Sequence, residues 1–293
     1  MKKIKFVTCI YSDLYGTEFG GRINRYLHYR WSLLSLLKMT NADFVCYTSE
    51  KEYDSLVAFF YDENNVDKKQ LIIKKFELND SYFHDIIIKY QNIDDVKKSD
   101  RCISIQYMKF IWLLLEDKSY EYYYWIDAGL SHCGLIPNKY LEKTGYNMSQ
   151  YYLSSLFNNN FLNNLINNTN DKILLVSKEN VKYYWSGTVN PIHFTHHDSS
   201  RHIIGGLFGG KAVLLDDFTY LFKKYVHQVT TTDNRLYHEE DIMTLIYRNH
   251  PNMFTTLDFD IWWHEDERIS GIDDMHEYVK DKKSFYKILE NLQ

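Results

Sequence analysis

Residues 121–134 read Glu121-Tyr122-Tyr123-Tyr124-Trp125-Ile126-Asp127-Ala128-Gly129-Leu130-Ser131-His132-Cys133-Gly134. Residues 122–126 form a nearly unbroken aromatic and β-branched run, the pattern of a strand buried on both faces. The run stops at Asp127, and Ala128-Gly129 follow, small enough to let a ligand approach the backbone. Open α/β sheets form their ligand crevices at the carboxyl ends of strands, which is where this pattern puts Asp127. A carboxylate at such a place needs a partner: a metal, a ligand hydroxyl or a basic side chain. The alternative is an Asp that caps the next helix or turn.

Upstream of this strand, apolar periodicity predicts strands over residues 4–10, 42–48 and 71–76. Helices are predicted over 22–38 and about 52–61, helix plus loop over 80–100, and a strong amphipathic helix over 103–116. That alternation is the signature of an α/β protein, a mostly parallel sheet flanked by helices. No Gly-x-Gly-x-x-Gly follows the first strand, so a dinucleotide fingerprint is absent. Downstream the pattern is less regular. Residues 158–170 hold eight Asn and read as a loop-linked helix pair or simply as compositional noise. A strand is expected over 172–177 and a helix over 211–226. A polar turn follows at 230–234, then a helix running from the acids at 239–241 to Arg248, and a last helix near 275–289. Gly205-Gly206-Leu207-Phe208-Gly209-Gly210 lacks the Lys-Ser/Thr of a phosphate loop. It reads as a glycine-bearing strand that packs a sugar against its backbone, or as a turn before the next helix. No clean linker divides the chain, which is expected to be one domain.

With 293 residues and 45% hydrophobic content, the chain is long enough to bury a substantial core. A net charge of −5 without a basic tail argues against a general nucleic-acid binder. The 26 Tyr and 17 Phe suit surfaces that stack and hydrogen-bond sugars, although abundant Asn, Lys, Ile and Tyr together also mark an AT-rich coding bias. Cys9, Cys46, Cys102 and Cys133 are scattered and form no CxxC pair, as expected of free thiols in a reducing compartment. The apolar stretches are too short for a membrane span, and Met1-Lys2-Lys3 leads directly into a strand-like segment rather than a secretory leader. The expected place is the cytoplasm, with peripheral contact to a membrane surface compatible with it.

The order of elements resembles a GT-A glycosyltransferase: an N-terminal strand, a lysine-bearing helix, an aromatic strand ending in Asp-x-Gly, a glycine-rich strand and an acidic helix start. More narrowly, the Trp-Ile-Asp-Ala-Gly-Leu-Ser and Gly-Gly-Leu-Phe-Gly-Gly runs look like HtrL/YibB-like bacterial proteins, associated with surface-polysaccharide gene clusters. The resemblance covers roughly residues 3–267. It implies a GT-A-like, Rossmann-like fold, with residues 1–135 binding a nucleotide-sugar donor, such as a UDP-sugar. Residues 136–293 would bind a glycan or lipid-linked glycan acceptor and carry catalysis. Thr8, Tyr11, Lys109, Asp127, Ala128 and Gly129 are the implied donor-binding residues. Gly205, Gly206, Phe208, Gly209 and His197 are implied for the sugar or acceptor, and Glu240, or Asp241 beside it, as the catalytic base. GT-A enzymes use Asp-x-Asp to hold Mn²⁺ or Mg²⁺ against the donor diphosphate. Here Gly129 stands in place of the second Asp, so Asp127 and His264 are the implied metal ligands.

Two rival functions remain from the residues alone. His193, His196, His197 and Asp198 have zinc-ligand types, without an HExxH spacing, and would suit a metal-dependent hydrolase or transferase. The missing second Asp would suit a non-catalytic carbohydrate-binding protein.

Overall fold

The computed structural model describes residues 4–12, 25–90, 100–128, 159–169, 171–179 and 201–258. Strands β1 (Ile4–Cys9), β2 (Asp43–Thr48), β3 (Leu71–Lys75) and β4 (Tyr122–Ile126) are followed by β5 (Ile173–Glu179), β6 (Arg201–Lys211) and β7 (Phe254–Asp258). They form one seven-stranded sheet in the order β3-β2-β1-β4-β6-β5-β7. All pairings are parallel except those of β6, which runs antiparallel to both β4 and β5. The fold is α/β with a mostly parallel sheet, as the alternating elements predict.

The helices are α1 (Arg25–Met39), α2 (Glu50–Val57), α3 (His84–Tyr90), α4 (Asp100–Leu114), α5 (Asn159–Thr169), α6 (Leu215–Asp233) and α7 (Glu239–Asn249). Every residue of β1, β2 and β4 is buried, which is why these strands read as continuous apolar runs. Strand alternation then sorts side chains between two cores. Tyr123 and Trp125 of β4 join Val7, Val45 and Phe208 under α3, α4, α6 and α7. Tyr122, Tyr124 and Ile126 join Phe6 and Phe44 under α1, α2 and α5.

Several expectations need correction. Residues 159–169 form no helix pair: α5 is a single helix, placing Leu162 and Leu165 in the core. The polar turn at 230–234 starts too early. Helix α6 continues to Asp233 because Val226, Val229 and Thr230 are buried, and it ends at Asn234 with φ 56°, a left-handed cap. Helix α2 runs on into a π-helical turn, Ala58–Glu63, that buries the adjacent Phe59 and Phe60. Strand β7 was not predicted; it is five residues long.

Gly209 explains how β6 lies against β4. It sits opposite Tyr124 with φ +155°, and a Cβ there would come 2.2 Å from the Tyr123 carbonyl oxygen. Only glycine permits that approach.

Candidate active site

The carboxyl ends of β1 and β4, the first half of β6 and the start of α7 meet at one end of the sheet. Asp127 extends the β4–β6 ladder, its N–H donating to the Gly206 carbonyl at 2.8 Å. Its side chain remains 41% exposed. Oδ1 accepts the Trp125 indole N–H at 2.7 Å and pairs with Lys109 Nζ at 3.0 Å. The second carboxylate oxygen makes no such contact among the described residues.

Lys109 comes from α4 and is 5% exposed. Its ammonium donates to Glu239 Oε1 at 2.8 Å and to the Gly205 carbonyl at 3.1 Å, besides meeting Asp127. Burial works against the charge, but Asp127 and Glu239 outweigh it and hold the ammonium protonated well above the ordinary lysine range. Three acceptors satisfy its three N–H donors. All three N–H donors of Lys109 are thus occupied within the protein.

The three acids of α7 have different tasks. Glu239 is buried against Lys109. Asp241 is buried and accepts the His238 backbone N–H at 3.3 Å in a capping box, so it serves as the helix cap. Glu240 is half-buried and its Oε1 accepts the Gly205 N–H at 2.9 Å. Of Glu240 and Asp241, Glu240 is the more exposed.

Other predicted positions belong to the core. Tyr11 is buried, stacked on Trp112 at 6.0 Å, and its hydroxyl donates to the Phe76 carbonyl at 2.9 Å. Phe208 is buried on Phe110, ring centroids 4.8 Å apart. Gly209 faces the β4 backbone. These three cannot line a donor or sugar pocket. Thr8 is buried, its hydroxyl without a hydrogen-bond partner among the described residues, and Ala128 is buried in the core beneath α1, α2 and α5. Gly205 and Gly206 do lie at the site, held through their backbones. Gly129, His197, His264 and the His193–Asp198 cluster lie outside the described residues. Among the described residues, no three His, Cys, Asp or Glu side chains gather as a metal site.

Two residues were missed. Glu239 was passed over for its neighbours, because its partner Lys109 lies 130 residues away. Glu52 is buried and holds the chain leaving β1: its Oε1 accepts both the N–H of Ser12, at 3.2 Å, and the Ser12 hydroxyl, while Oε2 accepts the Ser49 hydroxyl. The Ser49-x-x-Glu52 spacing was a visible helix-start signal.

No protein-family model and no curated sequence matches this chain. Solved structures do. Mouse xyloside xylosyltransferase 1, in its apo form, superposes with a TM-score of 0.53 at 12% identity, over 92% of this chain and 92% of that one. The fold is thus GT-A-like. A galactosyltransferase, LgtC, in complex with donor and acceptor sugar analogs gives a TM-score of 0.44 at 9% identity over 86% of this chain and 72% of that one. A 4-diphosphocytidyl-2C-methyl-D-erythritol synthase from Anaerococcus prevotii gives 0.44 at 9%, over 95% and 96%. At that distance the latter two add nothing about this chain.

Proposed function

We propose that this chain is a glycosyltransferase that moves a sugar from a nucleotide-sugar donor, such as a UDP-sugar, to a bacterial surface-glycan acceptor. The observation that carries the reading is Asp127, a half-exposed carboxylate at the end of a buried central strand in a GT-A-like fold. Residues 1–135 then form the donor half and residues 136–293 the acceptor and catalytic half. The bacterial glycan rests on the resemblance of the 125–131 and 205–210 runs to HtrL/YibB-like proteins. The chain would work in the cytoplasm, at or near a membrane surface; no helix among the described residues is long and apolar enough to cross one.

Asp127 and Glu239 place two carboxylates against the ammonium of Lys109, and Glu240 lies beside them on the Gly205 N–H. A nucleoside diphosphate is repelled by that surplus, so a divalent cation fits the site. Mn²⁺ or Mg²⁺ would be held by Asp127, by His264 and by the donor's own phosphates, and would stabilise charge on the leaving diphosphate. Gly205 and Gly206 fix the strand beside the sugar. Glu240, oriented by the Gly205 N–H, takes the proton of the acceptor hydroxyl.

The test is a calorimetric titration of UDP with Mn²⁺ and with EDTA. Binding that needs the cation, and a cation that binds better with UDP by the same factor, is the expected result. Tight Mn²⁺ binding without nucleotide, or UDP binding indifferent to EDTA, would contradict the cation's role. No binding of any nucleotide would contradict the function itself.

A further inference from the structure

We propose that Gln106 is a ligand-contacting residue whose side-chain amide hydrogen-bonds a hydroxyl of the sugar nucleotide, on its ribose or on the sugar it carries. The identity of the ligand rests on the glycosyltransferase reading; the placement of the amide does not.

Three contacts set the direction of α4 against β4. Glu116, just past the end of α4, meets Lys5 at 3.3 Å, and Lys5 lies opposite Tyr123. Trp112 stacks on Trp125 at 5.9 Å, and Lys109 meets Asp127 at 3.0 Å. Each step back along the helix is therefore a step toward the carboxyl end of the sheet. Gln106 precedes Lys109 by three residues on the same helix face, and at 1.5 Å per residue it stands about 4.5 Å further along. That places it past the strand ends, over the crevice. Its exposure agrees: residues 102–105 and 107–110 are buried, whereas Gln106 is only half-buried.

The Gln106 Oε1 atom is shielded from solvent and accepts no hydrogen bond among the described residues. The donors of the crevice are engaged elsewhere. Lys109 gives its N–H groups to Asp127, Glu239 and the Gly205 carbonyl, the Trp125 indole gives its own to Asp127, and the Gly205 N–H goes to Glu240. A buried amide oxygen left unpaired costs stability, and such a group in a native structure calls for an explanation. A ligand hydroxyl provides one. It donates and accepts, so it satisfies the amide in either orientation of its oxygen and nitrogen. An ionised phosphate only accepts and would leave Oε1 unpaired.

The experiment pairs stability with binding for Gln106→Met, which keeps the side chain's length and helix propensity and removes both polar ends. Without ligand the variant should melt about 2 °C or more above the wild type, because an unpaired buried oxygen is gone. Calorimetry with Mn²⁺ then compares UDP with UDP-glucose, UDP-galactose and UDP-xylose. The variant should bind at least about fivefold more weakly. A loss shared by UDP assigns the ribose hydroxyl, and a loss confined to the UDP-sugars assigns the carried sugar. A variant that melts at or below the wild type, or fails to fold, shows that the oxygen has a partner within the protein and overturns the proposal. Unchanged binding of all four probes by the variant overturns the proposal alone. A wild type that binds none of the four overturns the glycosyltransferase reading and the proposal together.

Discussion

Replacing Gly205 with Ala perturbs the site without touching a charge. The new Cβ would sit 2.7 Å from Glu239 Oε1 and 3.2 Å from its Cδ and Cγ, well inside ordinary contact distance. The glutamate must retreat, and its ion pair with Lys109, now 2.8 Å, must lengthen. At an effective dielectric near 20, stretching that pair by about 1 Å weakens it by roughly 1.5 kcal/mol. Both partners are buried, so solvent does little to screen the loss. In a chain of this size each kcal/mol moves the melting temperature by about 2–4 °C, giving an expected drop of about 3–6 °C for Gly205→Ala. Gly209→Ala is the reference. There a Cβ would meet backbone, 2.2 Å from Tyr123 O and 2.6 Å from Tyr124 Cα, at φ +155°. A central strand cannot give way as a glutamate can, so Gly209→Ala should lose far more or not fold. Thermal melts at neutral pH separate the two. A Gly205→Ala variant that melts with the wild type would refute the idea that Glu239 is pinned. One as damaged as Gly209→Ala would mean that strain in β6, not the ion pair, governs the position.

Asp127→Ala should stay folded and lose at least about tenfold in affinity for UDP with Mn²⁺, roughly 1.4 kcal/mol; unchanged binding by calorimetry would remove Asp127 from the donor site. Glu240→Gln should lower turnover by about 10² to 10⁴ with donor binding retained. Asp241→Asn should instead cost about 1 kcal/mol of stability as a weakened cap, and an activity loss confined to Asp241→Asn would move the base one residue along. Phe208→Ala should cost about 3–5 kcal/mol in denaturant unfolding. Tyr11→Phe should cost about 1 kcal/mol and leave nucleotide affinity alone; a weaker nucleotide complex would restore Tyr11 to the donor site.

The central strand was legible because burial on both faces erases alternation and leaves an aromatic run whose end is sharp. Asp127 was legible for the same reason, being the first charge after it. What periodicity could not resolve was which of several adjacent residues does which task. Glu239, Glu240 and Asp241 carry the same sign within one helical turn, and only partners distant in sequence separate them: Lys109, the Gly205 amide and the His238 amide. Phe208 sat next to the right place in the chain but points into the core, since a strand sends neighbours to opposite faces, and Tyr11, just beyond β1, turns into the same core against Trp112. Strand β7, Phe-Thr-Thr-Leu-Asp, is too short for its period to stand out, and its pairing with β5 comes from the sheet rather than from local preference. The helix expected from about residue 52 starts at Glu50 behind Ser49, and nothing in the local pattern shows that Glu52 also tethers Ser12.

Trp125 gives the protein an optical property. Its indole N–H bonds Asp127 Oδ1 at 2.7 Å, Lys109 Nζ lies 5.6 Å from its ring, and Trp112 stacks on it at 5.9 Å with an interplanar angle of 17°. Two indoles that close and nearly parallel couple their electronic transitions, so circular dichroism in the aromatic region carries the signature of this pair. Any event that draws Asp127 away from the indole, or redistributes charge on the neighbouring ammonium, changes the field on one of the two chromophores. Trp125 is thus a buried fluorophore bonded to Asp127, and a ligand that moved that carboxylate would be readable as emission from an unlabelled chain.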